Sequence, residues 1–213
     1  MVTPLSGAHH HGDKPMKPSI TLFILATVSA TAGAQAPGPV SSPNNTKYTT
    51  SQMVYLLRSC APRAALNTML AVATTESALH PYAISVNSPA TLAKQIGLNN
   101  QAVQLKRQPE SRGEASLWMK WLLQHNVTVS VGLLQVNTNN APRFHVSPED
   151  LLDPCTNIAV GSQLLAEAFA TQRQFNPNDQ AALLRALSVY NSGTASLGFY
   201  NGYVAQILKN ARQ

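Results

Sequence analysis

The stretch that decides the fold runs from Pro62 to Leu79 and reads PRAALNTMLAVATTESAL. It is rich in alanine and leucine, has no interior glycine and begins near a proline, which the first position of a helix tolerates. These features predict a buried helix over this stretch. Counting back from Glu76 at helical spacing meets only apolar side chains, at Ala73, Val72, Met69 and Leu66. Glu76 is therefore expected on the apolar face of the helix.

A carboxylate on an apolar face is unusual, because burial without a partner costs desolvation energy. No Lys or Arg lies within one helical turn of Glu76. Desolvation should then raise the pKa of Glu76, as a general acid working near neutral pH requires. The same pattern also fits a Glu76 that simply reaches water where the helix ends before Pro81.

Length and charge narrow the classes of function. The chain has 213 residues, enough for one ordinary domain with a sizeable core. Its net charge is +6, but only 11% of residues are charged, and Lys and Arg are scattered along the sequence. Nucleic-acid binding normally concentrates basic residues in a stripe. The composition therefore favours weak attraction to an anionic polymer or surface, with no nucleic-acid partner.

The N-terminal residues 1–36 are predicted to be a signal peptide. An apolar run from Ile20 to Ala30 precedes Ala34-Gln35-Ala36, which places small residues where a signal peptidase reads them, so cleavage is expected after Ala36. The run is too short for a permanent membrane span. Residues 1–15 do not fit the opening of a signal peptide, and are either an over-called start or added sequence.

Export to an oxidising compartment agrees with the cysteine content. Residues 37–47 are rich in Pro, Ser and Asn and are predicted to be a flexible linker to a single domain over 48–213. That domain holds both cysteines, Cys60 and Cys155, without a CxxC motif. An exported protein can join them in a disulfide, and two buried thiols are the alternative.

Histidines are dispersed and give no metal-ligand spacing. The three outside the N-terminal tract are His80, His125 and His145. We therefore predict neither a metal site nor a cofactor.

A second informative stretch is VSVGLLQVNTNN, from Val129 to Asn140. β-branched residues flank Gly132 and the tract ends in an asparagine-rich turn, which predicts a short strand or hairpin arm near a ligand surface. Alternation along a strand would point the amides of Gln135 and Asn137 the same way. Paired amides suit the hydroxyl and acetamido groups of a sugar.

The remainder is predicted to be helical. Trp118 and Trp121 lie one turn apart in a helix over 114–124, where core packing is a commoner explanation than sugar stacking. Tyr190 belongs to an inward-facing stripe, and the following Asn191-Ser192-Gly193 should end that helix at a cleft rim. A final helix is expected to carry Tyr200 and Tyr203 on one face.

Three motifs, in this order, resemble those of soluble lytic transglycosylases with a lysozyme-like fold: Glu76-Ser77, GLLQVN over 132–137, and YNSG over 190–193. The sequence is more similar still to the branch associated with type IV secretion and conjugation, in AISVN, LLDPCTN and GFYNGYV. The resemblance covers about residues 48–208. Leu134 departs from it, because methionine is common at that position.

The resemblance implies a mainly α, lysozyme-like α+β domain with a small β-hairpin region beside a glycan cleft. It implies cleavage of peptidoglycan between N-acetylmuramic acid and N-acetylglucosamine, without water, to leave 1,6-anhydro ends. One glutamate, Glu76, would act as both acid and base, since the C6 hydroxyl of the muramyl unit replaces the water that ordinary glycosidases activate with a second carboxylate.

The resemblance also assigns roles around Glu76. Ser77 would hydrogen-bond near Glu76 or the substrate, and Gln135 and Asn137 would bind sugar. Tyr190 would hold the Glu76 carboxyl, and Asn191 would help to line the groove.

These implications define a leading hypothesis and two alternatives. The first is a periplasmic lytic transglycosylase that opens the wall for a secretion or conjugation apparatus, with peptidoglycan strands and possible machinery components as its partners. The second is a hydrolytic muramidase that uses Glu76 with Asp150 or Asp153. The third is a wall-binding assembly protein that does not cleave.

Overall fold

The computed structural model describes residues 46–87, 105 and 107–212, and it shows mostly helices with one small sheet. The predicted signal peptide, nearly all of the predicted linker and most of the segment between 88 and 106 lie outside the described residues. The elements in chain order are α1 Thr50–Cys60, α2 Leu66–Ser77, β1 Ile84–Val86, α3 Arg112–Gln124, β2 Val129–Val131, β3 Val136–Asn137, 3-10 helices Thr138–Phe144 and Asp150–Leu152, α4 Pro154–Phe175, α5 Asp179–Ser192, α6 Leu197–Tyr200 and α7 Tyr203–Asn210.

The helix that carries Glu76 is shorter than predicted at both ends. α2 begins at Leu66 because α1 continues to Cys60, and the residues between form the turn that joins the two helices. Its C-cap, Ala78, takes a left-handed conformation with φ 50°, which ends the helix before His80 and Pro81. The apolar stripe is confirmed, since Met69, Val72 and Ala73 are buried.

The sheet is antiparallel, in the order β1-β2-β3. Ile84 pairs with Val131, and Val131 pairs with Val136, so one face of the sheet presents apolar side chains to the core. The other face carries a row of small polar residues, in which Ser130 pairs with Ser85 and with Asn137. Since successive side chains alternate between faces, this polar row belongs to the side away from the core. The predicted hairpin is confirmed.

The long helix α4 is the centre of the core. It packs against α1 and α5, and its N-terminus is joined to the end of α1 by the disulfide between Cys60 and Cys155, as predicted. Ile158, Val160 and Leu165 of α4 are buried in a cluster that includes residues of both helices and of the sheet. The disulfide therefore fixes the start of α4, from which one wall of the site is built.

Two predictions about the helices are wrong. The final helix is divided into α6 and α7 at Asn201-Gly202, because Gly202 adopts φ 82°, and Tyr200 is 87% exposed instead of sharing the inward face of Tyr203. Core packing of the two tryptophans is also wrong, since Trp118 and Trp121 are 39% and 36% exposed on α3.

Described residues contain no helix with the length and apolarity that a membrane span needs.

Candidate active site

A cleft of about 900 Å³ opens between the polar face of the sheet and helices α4 and α5. The sheet side supplies small polar and amide side chains, and the opposite side supplies residues of α4 and the end of α5. Glu76 of α2 also lines the cleft. The lining residues are Glu76, Ser85, Asn87, Ser130, Gln135, Val136, Asn137, Asn139, Asn140, Arg143, Leu164, Glu167, Ala168, Thr171, Gln172, Val189, Tyr190, Asn191, Ser192 and Gly193.

Glu76 occupies the last turn of α2 and is partly buried at the cleft. Burial raises the pKa of Glu76 from its ordinary value of 4.5 to about 7, and the hydrogen bond from Tyr203 offsets part of that rise. Near neutral pH both protonation states are therefore populated. A group in that condition can donate a proton and later accept one.

The hydroxyl that holds Glu76 belongs to Tyr203, at the first position of α7. Its oxygen donates to Glu76 Oε1 at 2.5 Å. Burial and the charge of Glu76 raise the pKa of Tyr203 above its usual range, so the phenol stays protonated and remains a donor. Because Oε1 accepts this bond, Oε2 is the carboxyl oxygen that Tyr203 leaves available for a proton.

The role expected for Tyr190 requires a correction. Its hydroxyl donates to the backbone carbonyl of Leu134 at 2.6 Å and not to Glu76. Burial and then the nearby charge of Glu76 raise the pKa of Tyr190, so this phenol also stays protonated. Tyr190 lines the cleft, but its hydrogen bond fixes the turn between β2 and β3, while Tyr203 fixes the carboxyl.

Ser77 joins α2 to the same turn. Its hydroxyl lies 2.9 Å from the carbonyl oxygen of Leu133 and 3.1 Å from that of Ala73, so backbone acceptors take its proton. Ser77 does not line the cleft. The structure thus places Ser77 beside Glu76 as a tie between the helix and the hairpin.

Gln135 lies in the turn itself, not in a strand, and adopts a left-handed conformation with φ 46°. Its side-chain Nε2 donates to the carbonyls of Ala83 and Gly132, both at 3.0 Å. Its Oε1 is buried and has no hydrogen-bond partner. A buried acceptor without a partner carries a desolvation cost that a donor on a bound substrate could relieve.

Asn137 and Asn191 lie on opposite sides of the cleft. Asn137 Oδ1 accepts from the Asn139 backbone N–H at 2.9 Å and caps the first 3-10 helix. Asn191 is exposed near the end of α5, and its Oδ1 accepts from Asn201 Nδ2 at 2.8 Å. The structure brings both residues to the cleft lining with Glu76, Gln135 and Tyr190.

The sequence is similar to known proteins over most of the chain. The sequence model of the family described as Transglycosylase SLT domain matches residues 56–212. This chain belongs to the SLT transglycosylase family. The protein virB1 of Agrobacterium fabrum is 30% identical over 194 residues, which cover 91% of this chain and 69% of that protein.

A second group of relatives carries a more descriptive name. The type IV secretion system protein virB1 of Brucella abortus is 32% identical over 162 residues, which cover 73% of this chain and 62% of that protein. No solved structure matches the chain significantly. The predicted lysozyme-like class is confirmed, as an SLT domain that is mainly helical with a small antiparallel sheet.

A buried asparagine that the sequence prediction missed holds the turn beside the cleft in place. Asn157 of α4 accepts from the Leu134 N–H at 2.8 Å and donates to the carbonyls of Val131 and Leu151 at 2.8 and 2.9 Å. Gly132 is required beside it, because φ is 79° and an added Cβ would lie 2.3 Å from Asn157 Nδ2. Asn157 therefore positions the turn that carries Gln135.

Other carboxylates of this SLT domain are engaged elsewhere. Asp150 accepts from the Ser147 hydroxyl and backbone, which lowers the pKa of Asp150, and Asp153 caps α4 through Thr156. Neither lines the cleft. Among the described residues of the lining, Glu167 is the one further carboxylate, and it is paired with Arg143.

Within the part of the chain that the structure describes, no group of three or more His, Cys, Asp or Glu side chains could hold a metal ion.

Proposed function

We propose that this protein is a periplasmic lytic transglycosylase that cleaves peptidoglycan strands to 1,6-anhydromuramyl ends and opens the wall for a type IV secretion or conjugation apparatus. The main observation in support of this reaction is the state of Glu76. Its carboxyl is partly buried at the cleft, has a pKa of about 7 and accepts a hydrogen bond from Tyr203. Membership of the SLT family supports the same reaction class.

The first step breaks the glycosidic bond. Protonated Glu76 gives the proton on Oε2 to the oxygen that links the muramyl C1 to the next sugar, and the C1–O bond breaks as positive charge develops at C1. The hydrogen bond from Tyr203 to Oε1 stabilises the carboxylate that this transfer creates. The raised pKa of Glu76 ensures that the acid form is present near neutral pH.

The second step closes the ring. The Glu76 carboxylate takes the proton of the muramyl C6 hydroxyl, and the C6 oxygen forms a bond to C1. This gives the 1,6-anhydro product and returns Glu76 to its protonated form. No water is consumed, because the C6 hydroxyl takes the place of water at C1. One carboxylate suffices because each proton transfer leaves Glu76 in the state that the next one needs.

The remaining site residues are proposed to hold the glycan. Gln135 offers its buried Oε1 as an acceptor for a substrate N–H or O–H group, and Asn137 offers an amide in the polar row of the sheet. Asn191 contributes an amide from the opposite side. Ser77 and Tyr190 act on the substrate indirectly, because each fixes the turn that carries Gln135.

The location and biological role are drawn from the relatives and the N-terminal sequence. Relatives in Brucella carry the name type IV secretion system protein virB1. Residues 16–36 have the pattern of a signal peptide, which fits delivery to the compartment that holds peptidoglycan. The partners proposed are therefore glycan strands and components of the secretion machinery.

Geometry favours this reaction over hydrolysis by Glu76 with Asp150 or Asp153. A hydrolase needs a second carboxylate that faces the substrate, either to activate water or to form a covalent intermediate. Asp150 is hydrogen-bonded to Ser147 and Asp153 caps α4, and neither lines the cleft.

The test is mass spectrometry of the soluble fragments that the purified protein releases from peptidoglycan, with Glu76→Gln alongside. The proposal predicts 1,6-anhydromuramyl ends from the wild type and none from the variant. Reducing muramyl ends would support the muramidase. Binding to peptidoglycan by both proteins, with no release by either, would support the wall-binding protein.

The proposed secretion role is tested separately in a bacterium from which the gene has been deleted. Transfer should be restored by the wild-type gene and not by Glu76→Gln. Equal restoration by both would show that the secretion role does not need cleavage.

A further inference from the structure

The cleft wall contains an ion pair that takes no part in the reaction proposed above. Arg143, near the end of the 3-10 helix Thr138–Phe144, pairs through Nη2 with Oε2 of Glu167 on α4. Both side chains line the cleft. The pair therefore connects the sheet side of the cleft to its helical side.

Stability does not explain this pair well. The Arg143 side chain is 56% exposed and that of Glu167 is 39% exposed. Exposed ion pairs contribute little to folding, because solvent screens the attraction and both side chains lose conformational freedom. A pair of this kind inside a binding cleft suggests a role in recognition instead.

The guanidinium of Arg143 is held in place while donors remain available. Its Cζ lies 5.2 Å from the centroid of the Phe144 ring, and Glu167 engages Nη2. Guanidinium carries five N–H donors in a rigid planar fork, more than one carboxylate oxygen can use. Ring and carboxylate together orient the group, and the other donors can bind an acceptor in the cleft.

Charge distribution in the cleft points to the nature of that acceptor. Among the described residues of the lining, Arg143 is the single cationic side chain, Glu76 and Glu167 are the carboxylates, and the others are neutral. The amides proposed to hold the glycan suit neutral sugar hydroxyls and acetamido groups. A fixed guanidinium fits a carboxylate better than any neutral group.

We propose that Arg143 binds a carboxylate carried by the side chain of the muramyl unit and selects peptidoglycan over neutral glycans, while Glu167 positions its guanidinium. This inference rests on the proposed function. Two groups of the muramyl unit could supply this carboxylate. One is the lactyl carboxylate of strands without peptides, and the other is a carboxylate of the peptide stem. Neither occurs in chitin-type strands.

The experiment compares wild type, Arg143→Gln and the control Arg185→Gln, whose side chain is exposed on α5 and does not line the cleft. Three substrates are used: peptide-bearing strands, strands freed of peptides by an amidase, and peptide-bearing strands whose carboxylates have been converted to neutral amides. The initial rate at which 1,6-anhydro fragments are released gives kcat and KM for each protein with each substrate.

Arg143→Gln should lower kcat/KM by about tenfold on at least one carboxylate-bearing substrate, mainly through a higher KM, because a charge-assisted hydrogen bond is lost. On the amidated strands it should match the wild type, and the control should match throughout. A loss confined to peptide-bearing strands assigns the stem, and a loss on peptide-free strands assigns the lactyl group. The loss should shrink as salt is raised.

An equal loss on amidated and unmodified strands, or no loss on any strand, would overturn the role of Arg143. These outcomes are distinct from failure of the proposed function, in which the wild type itself would produce no 1,6-anhydro ends from any of the three substrates.

Discussion

Tyr203 Oη and Glu76 Oε1 are 2.5 Å apart although 127 residues separate them in the sequence. The contact exists because α7 packs along α2, where Asn210 also donates to Thr75 at 2.8 Å and anchors the other end of α7. The C-terminal helix thereby delivers one hydroxyl to the proposed acid.

Replacing Tyr203 with Phe should alter both the rate and its pH dependence. The hydrogen bond from Tyr203 lowers the pKa of Glu76, so its loss should raise that pKa above about 7. The descending limb of the pH profile of kcat/KM should therefore move to higher pH. We expect kcat to fall about ten- to hundredfold, because the Glu76 carboxylate loses the hydrogen bond that stabilises it. Initial rates of glycan release between pH 5 and 9 measure both effects. If the descending limb of the pH profile does not move, Tyr203 is not the residue that lowers the pKa of Glu76.

Tyr190→Phe is the matched comparison, since it removes the hydroxyl of another buried tyrosine near Glu76. That hydroxyl donates to the Leu134 carbonyl, so its loss should lower the free energy of unfolding by about 1 kcal/mol. The pH of the descending limb should move less than in Tyr203→Phe. Urea unfolding and the same pH profile test this, and a larger pH shift for Tyr190→Phe would reverse the two assignments.

Glu76→Gln should stabilise the protein increasingly as pH rises. The folded-state pKa of about 7 lies above the ordinary 4.5, so the folded state favours the protonated acid. Any stability linked to that proton is present below pH 4.5 and is lost as pH rises through 7. The variant should therefore gain about 3 kcal/mol over the wild type between pH 4 and pH 8. A constant difference across this range, measured by urea unfolding, would mean that Glu76 has an ordinary pKa.

Asn157→Ala should be strongly destabilising. It would leave the Leu134 N–H and the carbonyls of Val131 and Leu151 without their side-chain partner in a buried region, at a cost of about 3 kcal/mol or more. The matched control is Asn176→Ala, which removes a single bond to the Gln172 carbonyl and should cost under about 1 kcal/mol. Urea midpoints compare the two, and equal losses would contradict a special role for Asn157.

The sequence predicted the local features well. Apolar spacing identified the face of α2 that bears Glu76, and β-branched residues around Gly132 identified the hairpin. Such patterns are periodic within one element, so they can be found without knowing what packs against it.

Other features depended on contacts between distant elements. No spacing links Tyr203 to Glu76, and alternation along a strand gave the wrong backbone for Gln135, which adopts φ 46° in the turn. Two misses did have signals. Asn201-Gly202 is a common turn dipeptide, and Asn157 shares a helical stripe with the inward-facing Gly161 of α4.

The central claim is that one carboxylate completes the reaction without water, and digestion of peptidoglycan in ¹⁸O-labelled water tests it most directly. Mass spectra of freshly released fragments should show 1,6-anhydromuramyl ends that carry no ¹⁸O, because the C6 hydroxyl supplies the oxygen bonded to C1. Fragments with a reducing muramyl end that contains ¹⁸O would show that water attacks C1 and would contradict the account.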